Sequence, residues 1–485
     1  MLHLVGGVRR VGWMNTISVR VGQVVSSIAL LAYVGCAADG DDGRKPGELE
    51  DGIASVGTEG TGDESGEDEP MKLDLPDPVC LNLECAQVDC GHPDQTTTLT
   101  GTVYDPSGAL PLHNVQVYIP NTEIEPIVDA LVCDQCDADL SGSPLVATVT
   151  DTHGRFVLEN VPAGQDIPLV MQVGKWRRQV VIPAIEACTD NEVHDVDLTR
   201  LPRSSDEGDL PRIALTTGSA DPLFCLLRRL GIADEEFGAM GSDARIHFYA
   251  GATGSKAFDP EFGASPGADY AVASETLWDS GWEGYDLVML SCEGSTYPTH
   301  KNGHRSKLRD YLDVGGRVFA THFHYNWLES EDAPEELSSV ASFTSSLNSF
   351  SGPVDIDTSF PQGAALADWM VFVDGSSPHG QFEVTGGRAH TETLDEGLAR
   401  VWVRRAFGEL ARTIYFAFNT PIDAPEDEQC GRMVLSDIHV SAGAGRASDP
   451  FPSACNDTPL TEQEKALIFM LFDLSACIET VTPAG

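Results

Sequence analysis

YDLVMLSCEG (Tyr285 to Gly294), HRSKLRDYLDVGG (His304 to Gly316) and RVFATHFHY (Arg317 to Tyr325) follow one another with little between them, and their order decides the fold. Leu287 to Leu290 and Val318 to Ala320 are unbroken apolar runs, the pattern of strands buried on both faces, as in parallel sheets. The segment between them has helical spacing and stops at Gly315-Gly316. A strand, a short helical crossover and a second strand make one unit of an open, doubly wound α/β sheet.

The same texture continues in both directions. RIALTTG (Arg212 to Gly218) and ARIHFYAG (Ala244 to Gly251) read as earlier strands. DPLFCLLRRLGI (Asp221 to Ile232) reads as a helix capped by Asp221, with Pro222 in its first turn and Gly231 past its end. Thr276 to Gly284 reads as a poor helix and a turn. Downstream, TIYFAFNTP (413–421) and GRMVLSDIHVS (431–441) are strands, and Thr461 with Glu464 forms a capping box for a closing helix. The stretch from Asn326 to Gln429 carries a strand and helix pair around Ile356 to Val373 and is expected to add edge strands and a lid over the sheet ends. Trp327, Trp369 and Trp402 within it read as core, with stacking on sugars as the alternative.

N-terminal to this α/β region the pattern is different. LTGTVYDPSG (99–108), NVQVYIPN (114–121), LVATVTDTHGRFVLENVPAG (145–164) and IPLVMQVGKWRRQVVIPAI (167–185) are short runs of strand periodicity broken by Gly and Pro turns. They predict an all-β sandwich over residues 79–200 with a Cys-rich flank, joined by a linker (201–211) to the α/β domain (212–480). An insertion from about Glu123 to Pro144 holds Cys133 and Cys136. Residues 37–78 are acidic and nearly free of apolar side chains, so they predict a disordered, extended tether. The first 36 residues supply Arg9, Arg10 and Arg20, a short apolar run from Ile28 to Gly35, and then Cys36. That is the outline of an export signal ending in a lipidation cysteine, with Met14 as an alternative start. The expected location is the cell envelope, outside the cytoplasm, with a membrane held through lipid on Cys36.

Composition restricts the partners. The 485-residue chain has a formal net charge of −45, which argues against nucleic acid and against electrostatic docking on anionic lipid. Twelve cysteines in an exported chain read first as disulfides. With Cys36 lipidated, eleven remain, and Cys292 has the most distinctive setting for the unpaired thiol. The other ten suit five bridges whose connectivity the sequence does not fix. A zinc site on Cys133, Cys136 and the Cys80, Cys85, Cys90 group is the lesser alternative.

Two resemblances follow from these strings. GTVYDPSG with TDTHGRFVLENVPAG resembles the carboxypeptidase regulatory-like domain, a transthyretin-like sandwich, over about residues 96 to 200, and implies a spacer or ligand-presenting module without chemistry. YDLVMLSCEG, LRDYLDVGGRVFATHFH and CGRMVLSDIHV resemble the trehalose-utilisation-type branch of the class I glutamine amidotransferase-like fold over about residues 210 to 480, and imply a flavodoxin-like doubly wound sheet. That family places its nucleophilic Cys in a sharp elbow after a strand. Here the elbow falls at Thr321 to Tyr325, which holds no Cys and no Gly, so glutaminase activity is not expected.

In such sheets ligands bind at the carboxyl ends of the strands. Those ends carry Thr216 to Asp221, Cys292 and Glu293, His322 and His324, and Asp437 and His439. Cys292, Glu293, His322 and His439 are therefore the candidate catalytic residues, and His322, His324, Asp437 and His439 the candidate ligands of a divalent metal. A thiol site with Cys292 activated by His322 or His439 is a further option, and a hydrogen-bonded network ordering the loops is the plain structural reading. His322 and His324 share a face only if the strand continues through them. The expected function is a lipid-anchored surface protein with a non-catalytic binding or envelope-structural role toward an extracellular protein or carbohydrate. The competing expectation is a metal-assisted hydrolase of extracellular carbohydrate or peptide material.

Overall fold

The computed structural model describes residues 80–136, 139–254, 271–329, 331–345, 349–376, 378–440 and 449–478. The export signal, Cys36 and the acidic tether lie outside the described residues. The first seven strands are β1 (Thr98–Thr102), β2 (Gln116–Pro120), β3 (Pro144–Val149), β4 (Arg155–Glu159), β5 (Gly164–Val173), β6 (Trp176–Ile185) and β7 (Asp190–Glu192). They make a three-stranded sheet, β4-β1-β7, and a four-stranded sheet, β3-β2-β5-β6. Alternation sets their facing. Phe156 and Leu158 of β4 turn inward while Arg155, Val157 and Glu159 face solvent, and they share one core with Val117, Ile119, Leu169 and Met171 of the other sheet. A one-turn helix, α1 (Val196–Thr199), leads to a packed connection in which Leu201 and Leu210 are buried.

The α/β half then lays down β8 (Ile213–Thr217), α2 (Leu223–Arg229), β9 (Phe237–Ala239), β10 (Ile246–Ala250), β11 (Val272–Ala273), α3 (Ser274–Ser280), β12 (Leu287–Leu290), α4 (Pro298–Lys301), α5 (Arg305–Asp313) and β13 (Arg317–Thr321). Next come α6 (Glu335–Ser338), β14 (Ala341–Phe343), β15 (Phe350–Ile356), α7 (Pro361–Phe372), β16 (Gln381–Gly387), β17 (Thr391–Leu394), β18 (Arg400–Phe407), β19 (Leu410–Thr420), β20 (Gly431–Ser436) and α8 (Glu462–Ser475). One sheet runs β11-β10-β8-β12-β13-β20-β19-β18-β15-β16. β10, β8, β12, β13 and β20 are mutually parallel. From β20 onward the pairing is antiparallel, so the stretch between β13 and β20 extends the sheet sideways. β14 and β17 pair separately.

Asp221 does not cap α2. Its carboxylate accepts the Val440 N–H at 3.0 Å instead, and Pro222 stands at the N-cap. The capping box of α8 forms as expected, with Thr461 and Glu464 bonding reciprocally. α8 is buried almost all round, and Phe472 meets Trp176 of the sandwich edge-on at 5.8 Å. Trp327 and Trp369 are fully buried and Trp402 nearly so, which makes them core residues and removes the sugar-stacking alternative.

Ten cysteines pair: Cys80–Cys85, Cys90–Cys188, Cys133–Cys430, Cys136–Cys477 and Cys225–Cys455. Among the described residues Cys292 is the free, buried thiol. Cys133 and Cys136 are thus bridge halves, and the zinc alternative there is ruled out. Both sit in the β2–β3 insertion and tie it to the far end of the chain, so sandwich and α/β half belong to one unit, Pro76–Gly485. Lys175 reinforces the seam, donating to Asp286 at 2.6 Å and to the Val128 and Ala130 carbonyls. The five bridges mark an exported protein, and no helix among the described residues is long and apolar enough to cross a membrane.

Candidate metal centre

The site forms where four parallel strands end. β12 runs straight into Ser291 and Cys292, because Leu287 to Leu290 are buried on both faces and leave no exposed residue to break the strand early. Gly218, after β8, lets the two ends approach: a Cβ there would sit 2.1 Å from the Cys292 carbonyl oxygen. β13 ends at Thr321 and gives way to a 3₁₀ turn over His322–Trp327. His322 adopts φ +47°, a left-handed conformation that costs a non-glycine residue about 1–3 kcal/mol. The turn is what aims the His322 ring inward.

Cys292, His322 and His439 each offer one ligand atom, and these atoms all lie within 4.8 Å of one another. Cys292 and His322 are buried and His439 is nearly so. The two imidazoles stack with centroids 3.4 Å apart. Neither nitrogen of His322 and not Nε2 of His439 has a hydrogen-bond partner among the described residues. The Asp437 backbone lies beside the His322 ring without meeting hydrogen-bond geometry. Buried polar atoms are normally paired, so three bare nitrogens next to a thiol require an explanation.

Electrostatics keeps this group neutral. Burial pushes the Cys292 thiol up to about 12, and nearby Asp221 and Glu293 add to the rise, while the Gly294 and Phe323 backbones oppose it by hydrogen bonding to the sulfur. Burial also holds His322 well below the ordinary imidazole value, aided by His439, His390 and Arg388. His439 falls to about 3 from burial, with Arg388 and His390 contributing. A thiol this hard to ionise is a poor nucleophile as it stands. Thiolate and neutral imidazole are the forms in which these side chains would hold a metal ion.

The remaining sequence candidates go elsewhere. Because the strand stops before His322, His324 diverges from it, and its Nε2 lies 2.9 Å from the Ser291 carbonyl oxygen. Burial, and then the Lys301 charge, lower His324 to about 4. Glu293 forms a buried ion pair with Lys301 at 2.6 Å and accepts the Ala252 N–H at 2.7 Å. Burial opposes ionisation of Glu293, but electrostatic coupling to His324 and Lys301 and these hydrogen bonds outweigh it and hold the carboxyl below its usual value. Asp437 accepts from the His390 backbone N–H at 2.6 Å and pairs with His390 Nδ1 at 2.8 Å. His390, fully buried, is absent from the sequence candidates. It comes from the segment that adds the edge strands, 47 residues before its partner, and only the expectation that this segment lies over the strand ends pointed toward it. Its ring stands 5.9 Å from that of His322. Asp221, also fully buried, closes the other side and is pushed up to about 7 by burial, against the Val440 N–H bond.

No family model matches this chain, and no curated protein does. Among solved structures, a chain of a type II cohesin–X-dockerin complex from Acetivibrio cellulolyticus is 16% identical, covering 31% of this chain and 79% of its own, with a TM-score of 0.15. A 9R-lipoxygenase from Cyanothece PCC8801 is 10% identical over 72% of this chain and 44% of its own, with a TM-score of 0.11. Neither similarity is large enough to carry an argument about fold or function.

Proposed function

We propose that this is an exported, lipid-anchored envelope protein whose α/β half binds a transition-metal ion on Cys292, His322 and His439. The observation that carries the reading is the convergence of those three ligand atoms within 4.8 Å, with three of the four imidazole nitrogens buried and bare. A thiolate and two imidazoles suit zinc, copper, cobalt or iron and not magnesium or calcium. In this reading Cys36 carries the lipid, and the carboxypeptidase regulatory-like sandwich is a rigid spacer. The α/β half is a flavodoxin-like sheet of the amidotransferase-like type. Two features support that assignment. Five of its parallel strands, β8, β10, β12, β13 and β20, numbered along the chain, stand in the order 2-1-3-4-5, with the short β9 and β11 added beside β10, and the left-handed turn at His322 occupies the elbow position with an imidazole where that family keeps its thiol.

Equilibrium dialysis of the exported protein against zinc, without chelator or affinity metal, tests the reading. One equivalent in the wild type, lost in a His322→Ala, His439→Ala double variant that keeps its circular dichroism, supports it. A folded wild type that takes up no metal sinks it and returns the chain to a purely partner-binding or envelope-structural role.

A further inference from the structure

Three ligands leave a tetrahedral ion one donor short, and a buried carboxyl lies at the end of the neighbouring strand β8. Asp221 follows β8 and is fully buried. Its Oδ1 accepts the N–H of Val440, the residue after the ligand His439, at 3.0 Å. The Thr321 hydroxyl, one residue before the ligand His322, donates to the Leu290 carbonyl at 3.0 Å and lies beside the Asp221 carboxyl. Cys292 is close enough to feel the Asp221 charge. The carboxyl therefore adjoins all three ligand-bearing strand ends. Its Oδ2 nevertheless has no hydrogen-bond partner among the described residues. Asp221 also falls outside the set of ligand atoms that lie within 4.8 Å of one another, so its reach to an ion is through a bridging molecule.

Resting on the metal reading above, we infer that the ion keeps a fourth, exchangeable position filled by water, and that Asp221 Oδ2 accepts a hydrogen bond from that water. Structural zinc sites close with four protein ligands, whereas sites with three protein ligands and a water stay open to small ligands. A carboxylate behind the bound water is the outer-shell arrangement that orients such a position. The centre then takes up a small monodentate anion in place of water, and is a Lewis-acid site, not a structural clamp.

Cobalt(II)-loaded protein titrated with azide reads this directly. The expected result is a saturable change in the visible spectrum as azide replaces water. At saturating cobalt Asp221→Asn keeps one equivalent and binds azide about tenfold more tightly, because the anion no longer faces a carboxylate charge. Asp221→Ser serves as a second variant with the same expectation. A cobalt spectrum that azide leaves unchanged overturns the open position, for instance because His390 closes the shell. Equal azide affinity in the wild type and both variants overturns the role of Asp221. In either case cobalt still binds, so the metal reading survives; a wild type that takes up no cobalt removes both.

Discussion

Removing the Cys136–Cys477 bridge by paired alanine substitution should destabilise the protein by about 4 kcal/mol, a figure set by topology. The bridge spans 341 residues of sequence, but Cys133–Cys430 already joins neighbouring points. The additional loop it closes therefore runs only from 133 to 136 and from 430 to 477, about 50 residues, and loop-closure entropy for that length gives about 4 kcal/mol. The same reasoning gives about 4 kcal/mol for Cys133–Cys430 alone. With both gone, the loop is limited by Cys225–Cys455 to about 120 residues, and the total reaches about 9 kcal/mol. Urea unfolding in non-reducing buffer, followed by tryptophan fluorescence, is the assay, since Trp176 lies against Phe472 of α8 where the two halves meet. Each single-bridge variant should unfold in one transition at lower urea. A loss below about 1 kcal/mol, or a wild type whose halves unfold in separate transitions, would mean that insertion, sandwich and α/β half do not act as one unit.

Lys301→Met strands Glu293 as a buried, unpaired charge and should cost about 3–5 kcal/mol, most of it recovered by adding Glu293→Gln; equal melting of both variants would contradict this. Thr461→Ala opens the α8 capping box and should lower stability by about 1 kcal/mol in urea titration, whereas an unchanged midpoint would mean that tertiary packing alone fixes the start of the helix. Asp105 carries a pH dependence. Burial raises its carboxyl to about 6, so between pH 4 and 6 the folded state binds a proton that the unfolded state releases, and the stability present below pH 4 is lost as pH rises through 6. Asp105→Asn should therefore gain on the wild type by up to about 3 kcal/mol by pH 8, and parallel stability curves would count against it.

What the sequence made legible was local. The capping box at Thr461 and Glu464, the Gly315-Gly316 stop and the apolar runs of β12 and β13 all depend on residues a few positions apart. With Cys36 set aside, counting left one cysteine unpaired and its place at the end of an apolar strand singled out Cys292, but neither connects bridges 297 and 341 residues long. Grouping His322 with His324 assumed a strand that continues, and the 3₁₀ turn after Thr321 separates them. Asp221 resembled a helix cap because its competing partner, Val440, is 219 residues away. The His390–Asp437 pair was illegible for the same reason: a folded-in segment brings it together, and no local pattern marks it.

X-ray absorption at the zinc edge of the metal-loaded protein reads the donor set of the proposed centre. One sulfur at about 2.3 Å with nitrogen or oxygen donors at about 2.0–2.1 Å is expected, with loss of the sulfur shell in Cys292→Ser. A shell without sulfur in the wild type would place the ion away from Cys292 and contradict the account.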